Sequence, residues 1–196
     1  IEANTYGANR FKLSSHGMAE RTAEINRAGV EIARRAAAGR ALVAGAMGPI
    51  GRHLVPVGKI PHEEASRAFA EQAQALLDAG VDLFVLETFA DLEELRLAVQ
   101  AVQALCALPI IAQKTFIEDG ETLAAGLPRR VLEEARGWGV AAFGANCTVG
   151  PQRMLAIIEA MAGESDLPVT ALPTAGLPHI IGGRMSYDAT PEYFAR

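Results

Sequence analysis

Cys147 is the residue of this chain whose type and position best suit it for chemistry. It follows an apolar run, residues 140–143, that predicts a short buried strand, and Gly150 with Pro151 then ends the strand and opens a helix. A thiol at the C-terminal end of a strand lies where repeating strand–helix folds keep their catalytic groups. We therefore predict that Cys147 is a metal-binding thiolate. The alternative is a small core residue, the commonest fate of a free cysteine.

Strand-like and helix-like segments alternate along the whole chain. Apolar runs predict strands at residues 41–47, 81–86, 109–116, 140–143 and 168–172, and the end of a strand at residues 1–6. Apolar residues at helical spacing predict helices over residues 18–38, 62–79, 92–105, 127–138 and 154–161. Asp91 and Glu94 form a capping-box pattern, and Thr190-Pro191 marks another helix start. Residues 117–126 and 176–187 are predicted to be loops.

This alternation implies an α/β fold with parallel strands joined by right-handed crossovers. About six strand–helix units are present, whereas a complete (β/α)8 TIM barrel takes about 250 residues. We therefore predict an incomplete (β/α)8 barrel containing about strands 2 to 7, as a single domain over residues 1–196 that is truncated at both ends. An open doubly wound sheet is the alternative, but no Gly-x-Gly-x-x-Gly turn supports a dinucleotide-binding version.

Composition argues against several classes of partner. The 196 residues carry a net charge of −5 with scattered basic residues, which is not the pattern of a nucleic-acid-binding surface. No uncharged apolar run is long enough to cross a bilayer, and the first residues do not resemble a signal peptide. Two distant cysteines cannot form a disulfide framework, so we expect a reducing, cytoplasmic location.

Polar residues stand at the predicted strand ends, which converge on one pocket in a barrel. These ends are Asn4-Thr5, Gly48-Pro49, Glu87-Thr88, Lys114-Thr115, Asn146-Cys147 and Pro173-Thr174. Glu87 closes an apolar strand and is either a solvated loop carboxylate, a charge at the N-terminus of the next helix, or an anchor for a substrate ammonium group. Asn146 either stabilises the turn or lines the pocket.

Lys114 offers a competing chemistry. A lysine at the end of a barrel strand can form a Schiff base with a carbonyl substrate when burial lowers its pKa. Strand alternation lets only one of Gln113 and Lys114 face the interior of the barrel, and the sequence does not decide which. We expect Lys114 to point outward and to extend its amine to solvent.

Taken together, the strand ends resemble those of the homocysteine S-methyltransferase family, whose catalytic domain is a zinc-containing (β/α)8 barrel. The matching segments, in the family's order, are residues 4–10 (Asn-Thr-Tyr-Gly-Ala-Asn-Arg), 44–49 (Ala-Gly-Ala-Met-Gly-Pro), 87–91 (Glu-Thr-Phe-Ala-Asp) and 144–151 (Gly-Ala-Asn-Cys-Thr-Val-Gly-Pro). The resemblance covers essentially the whole chain. Residues 115–122 and 190–195 are most similar to the folate-linked branch, which includes proteins fused to a methylenetetrahydrofolate reductase.

The resemblance implies a zinc-dependent transferase that moves a methyl group to the thiol of homocysteine and gives methionine. Cys147 would be the catalytic residue and the first of three cysteine ligands of Zn²⁺. Glu87 would bind the amino group of homocysteine, and Asn146 and Thr5 would line the amino-acid pocket. The family's other two ligands are an adjacent Cys-Cys pair, which the 196 residues do not contain. We therefore expect the chain to be either part of a longer enzyme or a form that cannot catalyse methyl transfer by itself.

Several features stay open at the level of sequence. Thr174 stands where folate-linked relatives often carry an asparagine, and Lys114 is not typical of its position in the family. The methyl donor is of the methyltetrahydrofolate, S-methylmethionine or betaine type, and a folate-linked donor is favoured. The partner predicted for the chain is either a fused reductase domain or a second copy of the chain in a homo-oligomer. The alternatives are a Schiff-base lyase or aldolase that uses Lys114, and a non-catalytic, degenerate barrel that acts as a binding module.

Overall fold

The structure, a computed structural model, describes residues 1–116, 126–162, 166–176, 178–187 and 189–195. The chain forms two compact units, Ile1–Ala112 and Gln113–Arg196. Five strands form one sheet in the order β1-β2-β3-β4-β5, and β3 (Ile110–Lys114) contributes residues to both units. The strands thus follow one another in the sheet in chain order, as the predicted α/β alternation requires.

The first unit consists of helices that alternate with strands. Its helices are α1 (Arg10–Ser14), α2 (Thr22–Ala37), α3 (His62–Asp78) and α4 (Leu92–Gln103). Its complete strands are β1 (Ala44–Met47) and β2 (Leu83–Phe89). These two strands pair in parallel with Met47 opposite Leu86, and a parallel bridge joins Glu2 to Ala44. All four residues of β1 are buried, as expected for a strand covered on both faces.

The second unit contains the helices α5 (Leu127–Ala135), α6 (Pro151–Met161) and α7 (Pro191–Phe194). Its strands β4 (Ala142–Asn146) and β5 (Val169–Leu172) pair in parallel, with Asn146 opposite Leu172. The strands β6 (His179–Ile181) and β7 (Arg184–Ser186) form an antiparallel hairpin. The prediction of a loop over residues 176–187 is therefore wrong for these six strand residues. The loop predicted at residues 117–126 lies outside the described residues except for Gly126.

Buried aromatic and aliphatic side chains hold each unit together. In the first unit, Phe69 of α3 and Phe89 of β2 are fully buried, with ring centroids 5.9 Å apart. In the second, Phe143 of β4 is fully buried and packs with Trp138 in an edge-to-face arrangement, with ring centroids 6.1 Å apart. Burying an aromatic side chain contributes about 2–3 kcal/mol, so these contacts fix the positions of the strands that carry the candidate site.

Helix α4 begins where the sequence predicts, but only half of the predicted capping box forms. The Asp91 carboxylate accepts hydrogen bonds from the backbone N–H groups of Glu93 and Glu94, at 2.8 and 3.4 Å. The carboxylate of Glu94 accepts instead from the backbone N–H of Ile50, at 2.8 Å. The reciprocal bond from Glu94 to the start of the helix is thus a wrong prediction, because a donor from the loop after β1 occupies this carboxylate.

Candidate functional site

Glu87 lies inside β2, near its C-terminal end, and its side chain is half-buried. Its pKa is raised, chiefly by burial and also by the neighbouring Glu2 carboxylate, while the Lys12 ammonium acts in the opposite direction. The next residue, Thr88, has a left-handed φ of 64°. A β-branched residue in this region costs about 1–3 kcal/mol, and such strain concentrates at functional sites. The interpretation of Glu87 as a solvated loop carboxylate is wrong, and its contact with a substrate stays a prediction.

Lys12 is a residue of this region that the sequence did not single out. It is half-buried, and its Nζ lies 4.1 Å from the centroid of the Tyr6 ring, a cation–π distance. Burial lowers the pKa of Lys12, and the carboxylates of Glu94 and Glu87 act against that shift. Lys12 belongs to no apolar run or helical repeat in the sequence, so only the folded chain shows that it lies near Glu87.

Thr5 is buried and anchors the N-terminal segment to β1. Its hydroxyl donates to the carbonyl oxygen of Ala46 at 2.8 Å. Its own carbonyl accepts from Nε2 of Gln72 at 2.8 Å. Because the hydroxyl is already bonded to the main chain of β1, Thr5 supports the end of this strand. Its predicted role in lining an amino-acid pocket stays a prediction.

Asn146 and Cys147 form the C-terminal end of β4. Asn146 is the last residue of the strand and is 4% exposed. Cys147 follows it and is exposed, and its backbone N–H donates to the carbonyl of Leu172 at 2.9 Å. The alternative of a cysteine packed in the core is therefore wrong. The other cysteine, Cys106, is half-buried and lies just beyond the end of α4.

A group of hydroxyl and carbonyl oxygens holds the turn that carries Cys147. Cys147 and Thr148 both adopt the left-handed conformation, with φ of 60° and 58°. The Thr148 hydroxyl lies 2.8 Å from the Cys147 carbonyl, 3.0 Å from the Phe116 carbonyl and 2.7 Å from the Thr115 hydroxyl. Since Thr148 has one proton to donate to the carbonyls, Thr115 donates to Thr148. These bonds offset the cost of two consecutive left-handed residues without glycine.

Gln113 and Lys114 are adjacent in β3, so their side chains lie on opposite faces, and only one of them can lie on the same face as Thr170. Nε2 of Gln113 donates to the Thr170 hydroxyl at 3.1 Å. Gly144 is the register partner of Thr170, and a Cβ at this glycine would stand 1.9 Å from the Thr170 carbonyl oxygen. Asn146 lies two residues beyond Gly144 and so shares its face of β4. Gln113, rather than Lys114, is therefore the β3 residue on the face with Thr170.

Lys114 is buried, so the prediction of a solvent-directed side chain is wrong. Its Nζ donates to the carbonyl of Thr115 at 2.9 Å and lies 4.9 Å from the centroid of the Phe116 ring. The backbone carbonyl of Thr115 and the Phe116 ring are partners that the ammonium group finds within the protein rather than in water.

The described residues do not form a complete metal site. Within the described ranges there is no group of three or more His, Cys, Asp or Glu side chains arranged to hold a metal ion. Cys147 is a single exposed thiol, whereas a catalytic zinc takes three protein ligands and one open position. The described residues can therefore supply one zinc ligand and not a complete site.

The chain was compared with known proteins. The sequence profile of the homocysteine S-methyltransferase family matches residues 1–196. The chain belongs to this family. As a homocysteine S-methyltransferase family member, it matches the methionine synthases of Mycobacterium tuberculosis and Mycobacterium leprae, each at 29% identity over 206 residues. These matches cover 100% of the chain but only 17% of each methionine synthase, so the chain spans about a sixth of these relatives.

Solved structures of the family share its fold. The metallated form of the homocysteine methyltransferase MmuM from Escherichia coli superposes with a TM-score of 0.72 at 25% identity, over 86% of this chain and 64% of that chain. The oxidized form of MmuM gives a TM-score of 0.71 at 26% identity, over 86% of this chain and 63% of that chain. The predicted family and the predicted α/β fold of TIM-barrel type are therefore confirmed. The single-domain boundary and the closer relation to the folate-linked branch stay predictions.

Proposed function

We propose that this family member binds homocysteine and takes part in transfer of a methyl group to its thiol, giving methionine. The observation that carries the proposal is the family match over the whole chain. It is supported by the positions of Glu87 and Cys147, each near the end of a parallel strand and each followed by a residue with positive φ. Strand ends of this kind are where barrel enzymes place their reacting groups.

Cys147 is the proposed zinc ligand of this chain and the residue nearest the chemistry. An exposed thiol on a turn fixed by hydrogen bonds suits this role, because its direction is set before a ligand arrives. Further ligands have to come from residues outside the described ranges. When bound, zinc supplies a Lewis acid that keeps the homocysteine sulfur deprotonated near neutral pH.

The remaining residues bind and orient the amino acid. In the proposal, the carboxylate of Glu87 accepts hydrogen bonds from the substrate ammonium group, a charge-assisted contact that half-burial strengthens. Asn146, buried beside Cys147, adds a polar group to the pocket wall. Thr5 keeps the end of β1 in place through its bond to Ala46. Catalysis would then rest mainly on holding the thiol in line with the donor methyl carbon.

The experiment uses the full-length encoded protein supplied with Zn²⁺. Methionine formation is measured from homocysteine with methyltetrahydrofolate, S-methylmethionine or betaine as the donor, together with the zinc content. We expect methionine with at least one donor, a loss of at least about a thousandfold in C147S, and near wild-type activity in C106S. The matched cysteine variants separate loss of the proposed ligand from loss of any thiol. Absence of methionine with every donor, in protein that holds zinc, would contradict the proposal.

The Schiff-base alternative is tested by trapping with borohydride in the presence of carbonyl substrates. The Lys114 amine is bonded to the Thr115 carbonyl, and Gln113 rather than Lys114 lies on the face with Thr170. We therefore expect no adduct at Lys114. Zinc binding without methionine formation would instead favour a degenerate, non-catalytic barrel.

Partners and location are proposed more coarsely. A folate-linked donor is favoured by the similarity of residues 115–122 and 190–195 to that branch. A fused reductase domain, a homo-oligomer and a cytoplasmic location stay predictions. Among the helices of the described ranges, none combines the length and the apolar character that crossing a bilayer requires.

A further inference from the structure

The loop of residues 48–51, here the β1 loop, begins beside Glu87. Strands β1 and β2 pair with Met47 opposite Leu86, so the next residues along the two strands are Gly48 and Glu87. Whatever fixes the β1 loop therefore also shapes the surroundings of this carboxylate. The loop contains two glycines and one proline.

Side chains from two helices hold the β1 loop. From α4, a carboxylate oxygen of Glu94 accepts from the backbone N–H of Ile50 at 2.8 Å. From the start of α1, Nδ2 of Asn9 donates to the Pro49 carbonyl at 3.2 Å, while its Oδ1 accepts from the Lys12 backbone N–H at 3.0 Å. Asn9, Glu94 and Ile50 are 0%, 6% and 1% exposed. The loop is thus held by buried polar contacts on both sides.

Glu94 is an unusual choice for this task. Its pKa is raised to about 7, chiefly by burial and also by the Asp91 carboxylate, while the Ile50 bond and the Lys12 ammonium act in the opposite direction. A buried carboxylate costs stability whenever it is ionised, yet the helix has a second glutamate at the preceding position. Glu93 is half-exposed and its carboxylate accepts from Nε of Arg96 at 2.8 Å, and within the described ranges it makes no hydrogen bond to the β1 loop.

We propose that Glu94 is a positioning residue for the proposed homocysteine site: it fixes the β1 loop against α4 before substrate binds, so that the pocket wall beside Glu87 is already formed. The inference rests on the proposed function and deepens it. If the pocket wall is already formed, less conformational entropy is lost when homocysteine binds, and the KM for homocysteine is lower. Glu94 acts through Ile50 and the loop and touches neither the thiol nor the methyl group.

The test compares E94A, which removes the acceptor, with E94Q, which keeps an acceptor without the charge. The control is E93Q, which makes the same charge change one residue earlier on α4. In the full-length protein we expect E94A to raise the KM for homocysteine by at least about tenfold, with kcat changed by less than about threefold. E94Q should restore KM to within about threefold of wild type, and E93Q should match wild type.

A second measurement does not depend on activity. In protein labelled with ¹⁵N-isoleucine, the amide proton of Ile50 should shift with pH as Glu94 titrates, and the shift should be flat in E94Q. An Ile50 amide that behaves alike in wild type and E94Q between about pH 5 and pH 9 would overturn the proposal. An E94A variant with wild-type KM would do the same. A wild-type protein that makes no methionine would contradict the proposed function alone, because the Ile50 signal would still report on Glu94.

Discussion

Replacing Thr148 with valine tests whether its hydroxyl holds the turn that carries Cys147. Valine has nearly the same shape and is also β-branched, so the strain of the left-handed φ of 58° remains while the bonds to Phe116, Cys147 and Thr115 are lost. One net hydrogen bond contributes about 0.5–1.5 kcal/mol, and a buried partner left unpaired costs more. Phe116 and Thr115 are 2% and 8% exposed, but Thr148 itself is exposed, so water replaces part of the loss. We expect a destabilisation of about 1–2 kcal/mol.

The measurement is thermal or urea denaturation of wild type, T148V and T148S. For a chain of this size, about 1–2 kcal/mol corresponds to a fall in Tm of about 2–8 °C. T148S keeps the hydroxyl and should lie within about 0.5 kcal/mol of wild type. If T148V also stays within about 0.5 kcal/mol, the hydroxyl does not hold the turn, and the account of how Cys147 is presented would be refuted.

Four further predictions follow from single residues. G144A should destabilise by at least about 4 kcal/mol or prevent folding, because the new Cβ would lie 1.9 Å from the Thr170 carbonyl oxygen; G150A, whose nearest atom would be at 3.9 Å, is the matched control in denaturation experiments. D91A should cost about 1 kcal/mol in the same measurement, since it removes the N-cap of α4, and an unchanged midpoint would contradict this. C147S should leave the melting temperature of the zinc-free protein within about 2 °C of wild type because Cys147 is exposed, although it should abolish methionine formation by the zinc-loaded protein. The pKa of Glu94 is raised to about 7 in the folded chain, so its contribution to stability is complete below the ordinary value of 4.5 and is lost as the pH rises through about 7. The free energy of unfolding of wild type relative to E94Q should therefore fall between pH 5 and pH 8, by on the order of 3 kcal/mol at most. A difference that does not change with pH would show that Glu94 is not buried as described.

Much of the fold follows from local pattern. Short apolar runs locate the five parallel strands, since their length and the Gly, Pro and polar residues that follow them distinguish strands from helices. The predicted bounds err by a few residues, because the runs include apolar residues of the adjoining loops, as at Val140 before β4. The β6–β7 hairpin is different: its signal is present as Gly182-Gly183, both with positive φ, between two short runs. A glycine-rich segment was interpreted as a loop although a two-residue glycine turn is typical of a hairpin.

Some features of the candidate site follow from the local sequence, and others depend on contacts between distant residues. The position of Cys147 at a strand end follows from the apolar run before it and the Gly-Pro break after it. The burial of Lys114 depends on where the Thr115 carbonyl and the Phe116 ring lie, which the order of residues does not state. Glu94 is a second example. The capping-box pattern predicts a bond from its carboxylate to the start of its own helix, whereas the carboxylate accepts from the backbone N–H of Ile50, 44 positions away. Such long-range contacts are set by tertiary packing, which overrides local preference.

The contact between Tyr6 and Gly48 links two positions that are far apart in the chain. A Cβ at Gly48 would stand 2.1 Å from Cε2 of Tyr6, and the Gly48 N–H donates to the Tyr6 carbonyl at 3.0 Å. The ring occupies the volume that a side chain at position 48 would need. Evolution can therefore enlarge residue 48 only after residue 6 has become smaller, and the two positions should change together among homologous sequences.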